Sequence, residues 1–236
     1  LKKVFVMLIL NPYKICFYET WIGKKKLIIK FAKKLNSTNL SPLRSGNISI
    51  RHVKKKEEGF LITPSGMKYE QLRTSDIVFV SLKGKYNKRN NKPSSEWHFH
   101  KDIYLHKKNM NAIVHAHSKS ALTLACLRKK IPAFHYMVAV AGGIDIRCAK
   151  YATFGTIALS RNIIKALRDR RACLIENHGQ VATDKTISAA FELAQEVEYL
   201  SSQYINCLRV GSPKVLSKSL MSKVLGKIKS YKKSEN

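Results

Sequence analysis

The run Asn111-Ala112-Ile113-Val114-His115-Ala116-His117-Ser118 constrains this chain more than any other. Its apolar residues carry two histidines two positions apart, with polar residues at both ends. Such a run reads as a strand, and a strand sends every second side chain to the same face. His115 and His117 therefore share a face and suit two adjacent positions on one divalent cation. A third histidine, His178, stands in Leu174-Ile175-Glu176-Asn177-His178-Gly179, where a strand pattern meets a glycine turn. Glu96, in Pro93-Ser94-Ser95-Glu96-Trp97, puts a carboxylate where a helix is expected to begin. Three neutral nitrogen ligands with an open position make the layout of a catalytic metal site, one that suits Zn²⁺ better than Mg²⁺ or Ca²⁺.

A chain of 236 residues with 44% hydrophobic content can bury a sizeable core. No run approaches the ~20 apolar residues that a membrane helix needs. The signal-like start Lys2 to Leu10 stops early at Asn11 and Pro12, with no small-residue cleavage pattern after it. Five cysteines (Cys16, Cys126, Cys148, Cys173 and Cys207) are odd in number, far apart and without a Cys-x-x-Cys pair. They read as reduced thiols in a cytoplasmic protein. The net charge of +29 raises the question of nucleic acid. The lysines and arginines are scattered, however, and form no stripe interleaved with aromatics. The charge reads as solvated faces that would also gather a small phosphorylated substrate.

The periodicity predicts a helix from Lys24 through Leu27, Ile28, Phe31 and Leu35, with residues 1–23 an extension of unknown structure before a domain spanning 24–236. Strands are expected at Asn47–Arg51, Phe60–Thr63, Asp76–Leu82 and Ala172–Ile175. Helices are expected with Ser94 or Ser95 as cap and Trp97, Phe99, Ile103 and Tyr104 inside, then at about 120–127, 159–167, 186–208 and from Leu216 to Ile228. The mixture predicts one compact α/β domain without a Gly-x-Gly-x-x-Gly loop.

Around the metal candidates lie small polar turns. Ser45-Gly46-Asn47, Ser65-Gly66 and Ser94-Ser95 offer hydroxyls, amides and backbone N–H groups, which are the donors a phosphate monoester needs. Glu96 beside a metal can serve as a general base, because a cation that polarises a carbonyl acidifies the neighbouring C–H. His98, His100 and His106 are rival ligands. On a helix the first two diverge by about 200°, and they read as packing or surface residues. His52 and His135 read as structural, and Cys173 as too far along its strand to join the site.

Taken together, these segments resemble the class II aldolase/adducin family, over about residues 26 to 231. The resemblance rests on Ser45-Gly46-Asn47-Ile48-Ser49-Ile50-Arg51, Leu61-Ile62-Thr63-Pro64-Ser65-Gly66 and Pro93-Ser94-Ser95-Glu96-Trp97. It continues through Val114-His115-Ala116-His117, Ile131 to Met137, Ala141-Gly142-Gly143, Tyr151 to Thr156 and Asn177-His178-Gly179. It implies a three-layer α/β/α fold around a mostly antiparallel sheet. It also implies a homotetramer with active sites between subunits, and one catalytic Zn²⁺ per subunit on His115, His117 and His178. Phosphate binding is implied for Asn47, Ser65, Gly66, Ser94 and Ser95. Glu96 is implied as the base toward dihydroxyacetone phosphate, Tyr136 as the acid from a neighbouring subunit, and Tyr231 as a residue closing over the substrate. The expected reaction is cleavage of a ketose 1-phosphate, of the fuculose 1-phosphate type, to dihydroxyacetone phosphate and a lactaldehyde-like aldehyde. Two departures bear on substrate identity: Pro42 and Arg44 before the Ser-Gly-Asn turn, and Ser234 where the family's aldolases carry an arginine.

The same fold also serves pentulose-phosphate 4-epimerases, methylthioribulose-1-phosphate dehydratases and non-enzymatic adducin-like modules. Glu96 together with Tyr136 favours the aldolase over an epimerase. The three histidines argue against a non-enzymatic module. A nucleic-acid partner would demand steeply salt-dependent binding, and the scattered charge argues against it.

Overall fold

In the computed structural model, residues 20–89 and 91–234 are described. The expectations for residues 1–19, including Cys16, lie outside them. Helix α1 spans Trp21–Ser37. It starts before Lys24, because the Thr20 hydroxyl accepts a hydrogen bond from the Gly23 backbone N–H at 3.0 Å. A side-chain cap contributes ~1 kcal/mol, enough to offset the ~1 kcal/mol propensity cost of a helical glycine. Gly23, expected within the extension of unknown structure, is therefore inside the helix.

Strand β1 (Asn47–Lys54) turns back into β2 (Glu57–Ile62). The register pairs Lys54 with Glu57, so Lys55 and Lys56 alone form the turn, at φ +48° and +68°. Positive φ at both central residues is what a two-residue hairpin turn requires. The exposed charged ends of the hairpin carry no apolar alternation, so the sequence shows only its buried half. Then come β3 (Val78–Ser81), α2 (Trp97–His106), β4 (Ala112–Ala116) and α3 (Lys119–Cys126). The chain continues through β5 (Cys148–Ala149), α4 (Ile157–Ala166), β6 (Ala172–Ile175), β7 (Gly179–Asp184), α5 (Ile187–Val210) and α6 (Lys218–Ser234).

Among the described residues, seven strands form one sheet in the order β3-β2-β1-β4-β7-β6-β5, in which only the β5–β6 pair is parallel. Alternation splits the core in two. Ile48, Ile50, Val114, Leu174 and Ala182 face α1, α3, α5 and α6, packing against Ile28, Leu124, Phe191 and Met221. Phe60, Ile62, Ile113, Ile175 and Val181 face α2 and α4, packing against Phe99, Ile103, Leu159 and Ile163. The result is the expected three-layer α/β/α arrangement with a mostly antiparallel sheet. Because β4 pairs with both β1 and β7, Asn47 and the chain after β6 arrive beside the histidine strand. Among the described residues, no helix is long and apolar enough to cross a membrane.

Candidate active site and metal centre

His115 lies on the face of β4 opposite Val114, turned toward α2, and His117 follows just past the strand end. His178 comes from the tight turn between β6 and β7. Pairing of Ala116 with Gln180 sets that turn against the end of β4. Gly179 is needed there, because a Cβ would collide with the Ala116 carbonyl oxygen. Gly46 meets the same demand on the other side: its φ is +78°, and a Cβ would lie 2.5 Å from the His115 carbonyl oxygen.

Four ligand atoms converge, one each from Glu96, His115, His117 and His178, all within 4.8 Å of one another. His117 Nε2 lies 2.9 Å from His115 Nε2. Glu96 Oε2 lies 3.1 Å from His115 Nε2, and Glu96 Oε1 lies 3.1 Å from His178 Nε2. The His115 Nδ1 is 2.8 Å from the Gln180 carbonyl oxygen, which can only accept. A neutral His115 therefore carries its proton on Nδ1 and turns the Nε2 lone pair toward His117 and Glu96. Glu96 Oε1 is buried without a hydrogen-bond donor. Lone pairs facing lone pairs at hydrogen-bond distance fit a cation. A proton on His115 relieves only the contacts of that ring, whereas a divalent ion satisfies all four donors.

Without a cation, the cluster shares charge through a proton instead. Burial opposes charge on Glu96, but the charge and hydrogen bond of His115, followed by His178, hold its carboxyl well below the usual carboxylate range. Burial likewise opposes charge on His115, yet Glu96 lifts that ring above an ordinary histidine. Burial, then His115 and His178, push His117 down to about 3. A ring neutral over the physiological range is in its ligand form.

The cluster opens into a cavity of about 360 Å³. His117, His178 and Glu96 line it, together with Ser45, Gly46, Ser65, Gly66, Ser94 and Ser95, brought together from three loops. The serines do not cap α2 as expected. Glu96 occupies the N-cap position without a side-chain cap bond, and Ser94 Oγ makes only a long 3.4 Å contact with the Glu96 N–H. The helix start is thereby left open to the cavity. Asn47 also lines the cavity, but its side-chain amide is engaged with Glu96 and His100. Arg44, missed as a binding candidate, reaches the same wall, where its Nη1 donates to the Gly66 carbonyl at 3.0 Å. Its position just before the Ser-Gly-Asn turn was the available signal.

Of the rival histidines, His98 stacks on Trp97, and His106 is exposed, with its Nδ1 2.8 Å from the Asp102 carbonyl oxygen. His100 is fully buried in a polar network described below. Cys173 packs among apolar residues and does not join the cluster. Tyr136 and Tyr231 do not line the cavity of their own chain; they are 52% and 72% exposed.

A profile of the class II aldolase and adducin N-terminal domain family matches residues 26–205. The chain belongs to the class II aldolase and adducin family. A 5-methylthioribulose-1-phosphate/5-deoxyribulose-1-phosphate aldolase of Rhodospirillum rubrum is 46% identical, over 86% of this chain and 90% of its own length. An L-fuculose phosphate aldolase of Escherichia coli K12 is 40% identical, over 86% of this chain and 93% of its own. A solved L-fuculose 1-phosphate aldolase superposes with a TM-score of 0.82 at 40% identity, covering 87% of this chain and 95% of that one. The class II aldolases are lyases, and this chain is one of them.

Proposed function

We propose that this class II aldolase uses Zn²⁺ to cleave a terminally deoxygenated ketose 1-phosphate into dihydroxyacetone phosphate and a short aldehyde. One observation carries the reading: a single cavity joins a cation-binding cluster to a cradle of hydroxyls, backbone groups and Arg44 suited to a phosphate. A 1-phosphorylated ketose offers a phosphate to such a cradle and a carbonyl to such a cation site. Tyr151, Ala152 and Phe154 also line the cavity and add carbon surface, which suits a sugar end lacking a hydroxyl. The substrates named for the two relatives share that feature. A six-carbon substrate of the fuculose 1-phosphate type would release lactaldehyde; of the ketoses named for the Rhodospirillum relative, 5-deoxyribulose 1-phosphate would release acetaldehyde and 5-methylthioribulose 1-phosphate its methylthio derivative. The methylthioribulose dehydratase alternative shares a substrate with that relative but not its chemistry.

Bound at His115, His117 and His178, a zinc ion supplies the charge that acidifies a C–H beside a carbonyl. The protein's own groups handle the protons. In the condensation direction Glu96 removes one from the hydroxymethyl carbon of dihydroxyacetone phosphate, and Tyr136 of a neighbouring copy gives one to the aldehyde oxygen. Cleavage runs these transfers in reverse. Ser65, Gly66, Ser94 and Ser95 hold the phosphate, with Asn47 anchoring the base beside it. Tyr231 of a neighbouring copy covers the substrate.

The direct test is zinc content measured together with release of dihydroxyacetone phosphate from fuculose, rhamnulose, ribulose, 5-deoxyribulose and 5-methylthioribulose 1-phosphates. About one zinc per chain with chelator-sensitive cleavage is expected. Full zinc without cleavage of any of them would turn the reading to the epimerase or dehydratase chemistry.

Arg44→Thr is expected to raise KM for the phosphorylated ketose by about 10- to 100-fold while changing kcat little, the loss of one charged hydrogen bond. Inhibition by inorganic phosphate should weaken in parallel. An unchanged KM would place the phosphate away from Arg44. The exposed tyrosines predict subunit complementation. Tyr136→Phe and Glu96→Gln homomers should each be impaired. Mixed oligomers formed by co-expression should recover about a quarter of wild-type activity, as random assembly around a ring allows. No recovery would mean that both groups act within one chain or that the oligomer is absent.

A further inference from the structure

Strand β1 and helix α2 meet along a buried polar seam. Asn47, Ser49 and Arg51 alternate onto one face of the strand. Glu96, His100 and Tyr104 recur every fourth residue along the helix. Two strand residues advance about 6.8 Å and four helical residues about 6 Å, so the two series stay in step. Each rung is bonded. Asn47 Nδ2 donates to Glu96 Oε2 at 2.9 Å, and Asn47 Oδ1 lies 2.5 Å from His100 Nε2. His100 Nδ1 lies 2.7 Å from Ser49 Oγ, which lies 2.8 Å from Tyr104 OH. Arg51 Nη2 closes the far end by donating to the Tyr104 carbonyl at 2.7 Å. Asn47, Ser49, Glu96, His100 and Tyr104 are all at least nine-tenths buried.

The hydrogen positions follow from the end that touches the base. A carboxylate accepts only, so the Asn47 amide must turn its NH₂ toward Glu96 and its oxygen toward His100. That oxygen also accepts only, so His100 Nε2 carries a proton. Burial, with His115 second, pushes His100 down to about 3, so the ring is neutral and Nδ1 is an acceptor. Ser49 must then donate to Nδ1 and accept from the Tyr104 hydroxyl. Burial holds Tyr104 far above an ordinary phenol, so its proton stays on. Every donor points the same way, toward Glu96. A flipped Asn47 amide would set its oxygen against the carboxylate and its NH₂ against the His100 N–H, which costs two hydrogen bonds in a buried site.

We infer that His100 is a positioning residue for Glu96, acting through the Asn47 amide, with Ser49 and Tyr104 holding the ring from its other nitrogen. The role rests on the aldolase reading proposed above, since it fixes the carboxylate that reading uses as base. His100 touches neither the cavity nor the metal cluster. Its effect is on where Glu96 points.

The test uses the full-length, zinc-loaded protein. ¹⁵N shifts of the His100 ring, read without substrate, should show the neutral Nε2–H tautomer across the physiological pH range. His100→Leu should lower kcat on the order of 10²-fold, the scale of a misplaced catalytic group, with KM and zinc content nearly unchanged. His100→Gln, whose amide nitrogen can stand in for Nε2, should restore kcat to within about tenfold of wild type. If the leucine variant does not fold, Ser49→Ala removes the hydroxyl that holds the ring at Nδ1 and should lower kcat in the same direction at unchanged zinc. A ring protonated at Nδ1 would overturn the inference. So would a folded, zinc-loaded leucine or Ser49 variant with full kcat, or a loss of kcat that merely tracks lost zinc. A wild type that cleaves no ketose 1-phosphate removes the proposed function instead; the ring tautomer still decides the network.

Discussion

Glu96→Gln is expected to keep its zinc and lose most of its chemistry. Proton exchange at dihydroxyacetone phosphate and ketose cleavage should fall together by on the order of 10²- to 10⁴-fold, the usual worth of a positioned acid–base group. Glutamine has nearly the same shape and leaves the three histidines in place. It can still accept from Asn47 Nδ2 through its amide oxygen. What it cannot do is take a proton. The carboxylate oxygens lie 3.1 Å from His115 and His178, and positive charge in the cluster favours the ionised form. On the proposed reading, the substitution therefore removes the base while leaving the shape of the site. Exchange followed by NMR in D₂O, with zinc measured on the same sample, makes the check. Normal exchange in the zinc-loaded variant would move the base elsewhere.

His117→Ala is expected to lose metal and activity together. Its Nε2 lies 2.9 Å from His115 Nε2, so two imidazole nitrogens and the Glu96 carboxylate aim at one point. On the proposed zinc reading, removing one of three nitrogen ligands leaves too few for a stable tetrahedral site. Zinc per chain after dialysis against a weak chelator should fall from about one toward zero, and cleavage with it. The core should stay folded, because His117 lies beyond the end of β4 and outside both apolar clusters. An alanine variant with full zinc stoichiometry would sink the ligand assignment. Activity lost with zinc retained would make His117 a substrate contact instead.

Much of this was legible in the chain. The alternation of β4 places His115 and His117 on one face whatever surrounds it, because strand periodicity is a property of the local backbone. The serine and glycine turns are likewise local, and all of them reach one cavity. Strand β7 was not legible. Gly179–Asp184 is buried at every position, yet its polar residues break any apolar pattern, and its partners β4 and β6 make it a strand. The serine cap before α2 was misplaced for a related reason: a cap motif shows only that a hydroxyl is near a helix start, not that a cavity leaves it free. His100 was taken for packing because its spacing from His98 argues against a shared metal. The same residue at four-residue spacing between Glu96 and Tyr104 carried the signal, which had meaning only once a strand with polar residues on one face lay alongside.

The sequence by itself determined the chemical types and their local directions: two histidines on one strand face, a third at a glycine turn, and a carboxylate at a helix start. These depend on periodicity and turn chemistry within a few residues. Only the tertiary structure decided that β4 pairs with both β1 and β7, which brings His178 beside His117 and sets Asn47 against Glu96. Only the tertiary structure showed Arg44 joining the serine turns, and Tyr136 and Tyr231 facing outward. The physical reason is that hydrogen bonds between distant strands, and the burial that follows from them, depend on which segments pair, and no local pattern carries that choice.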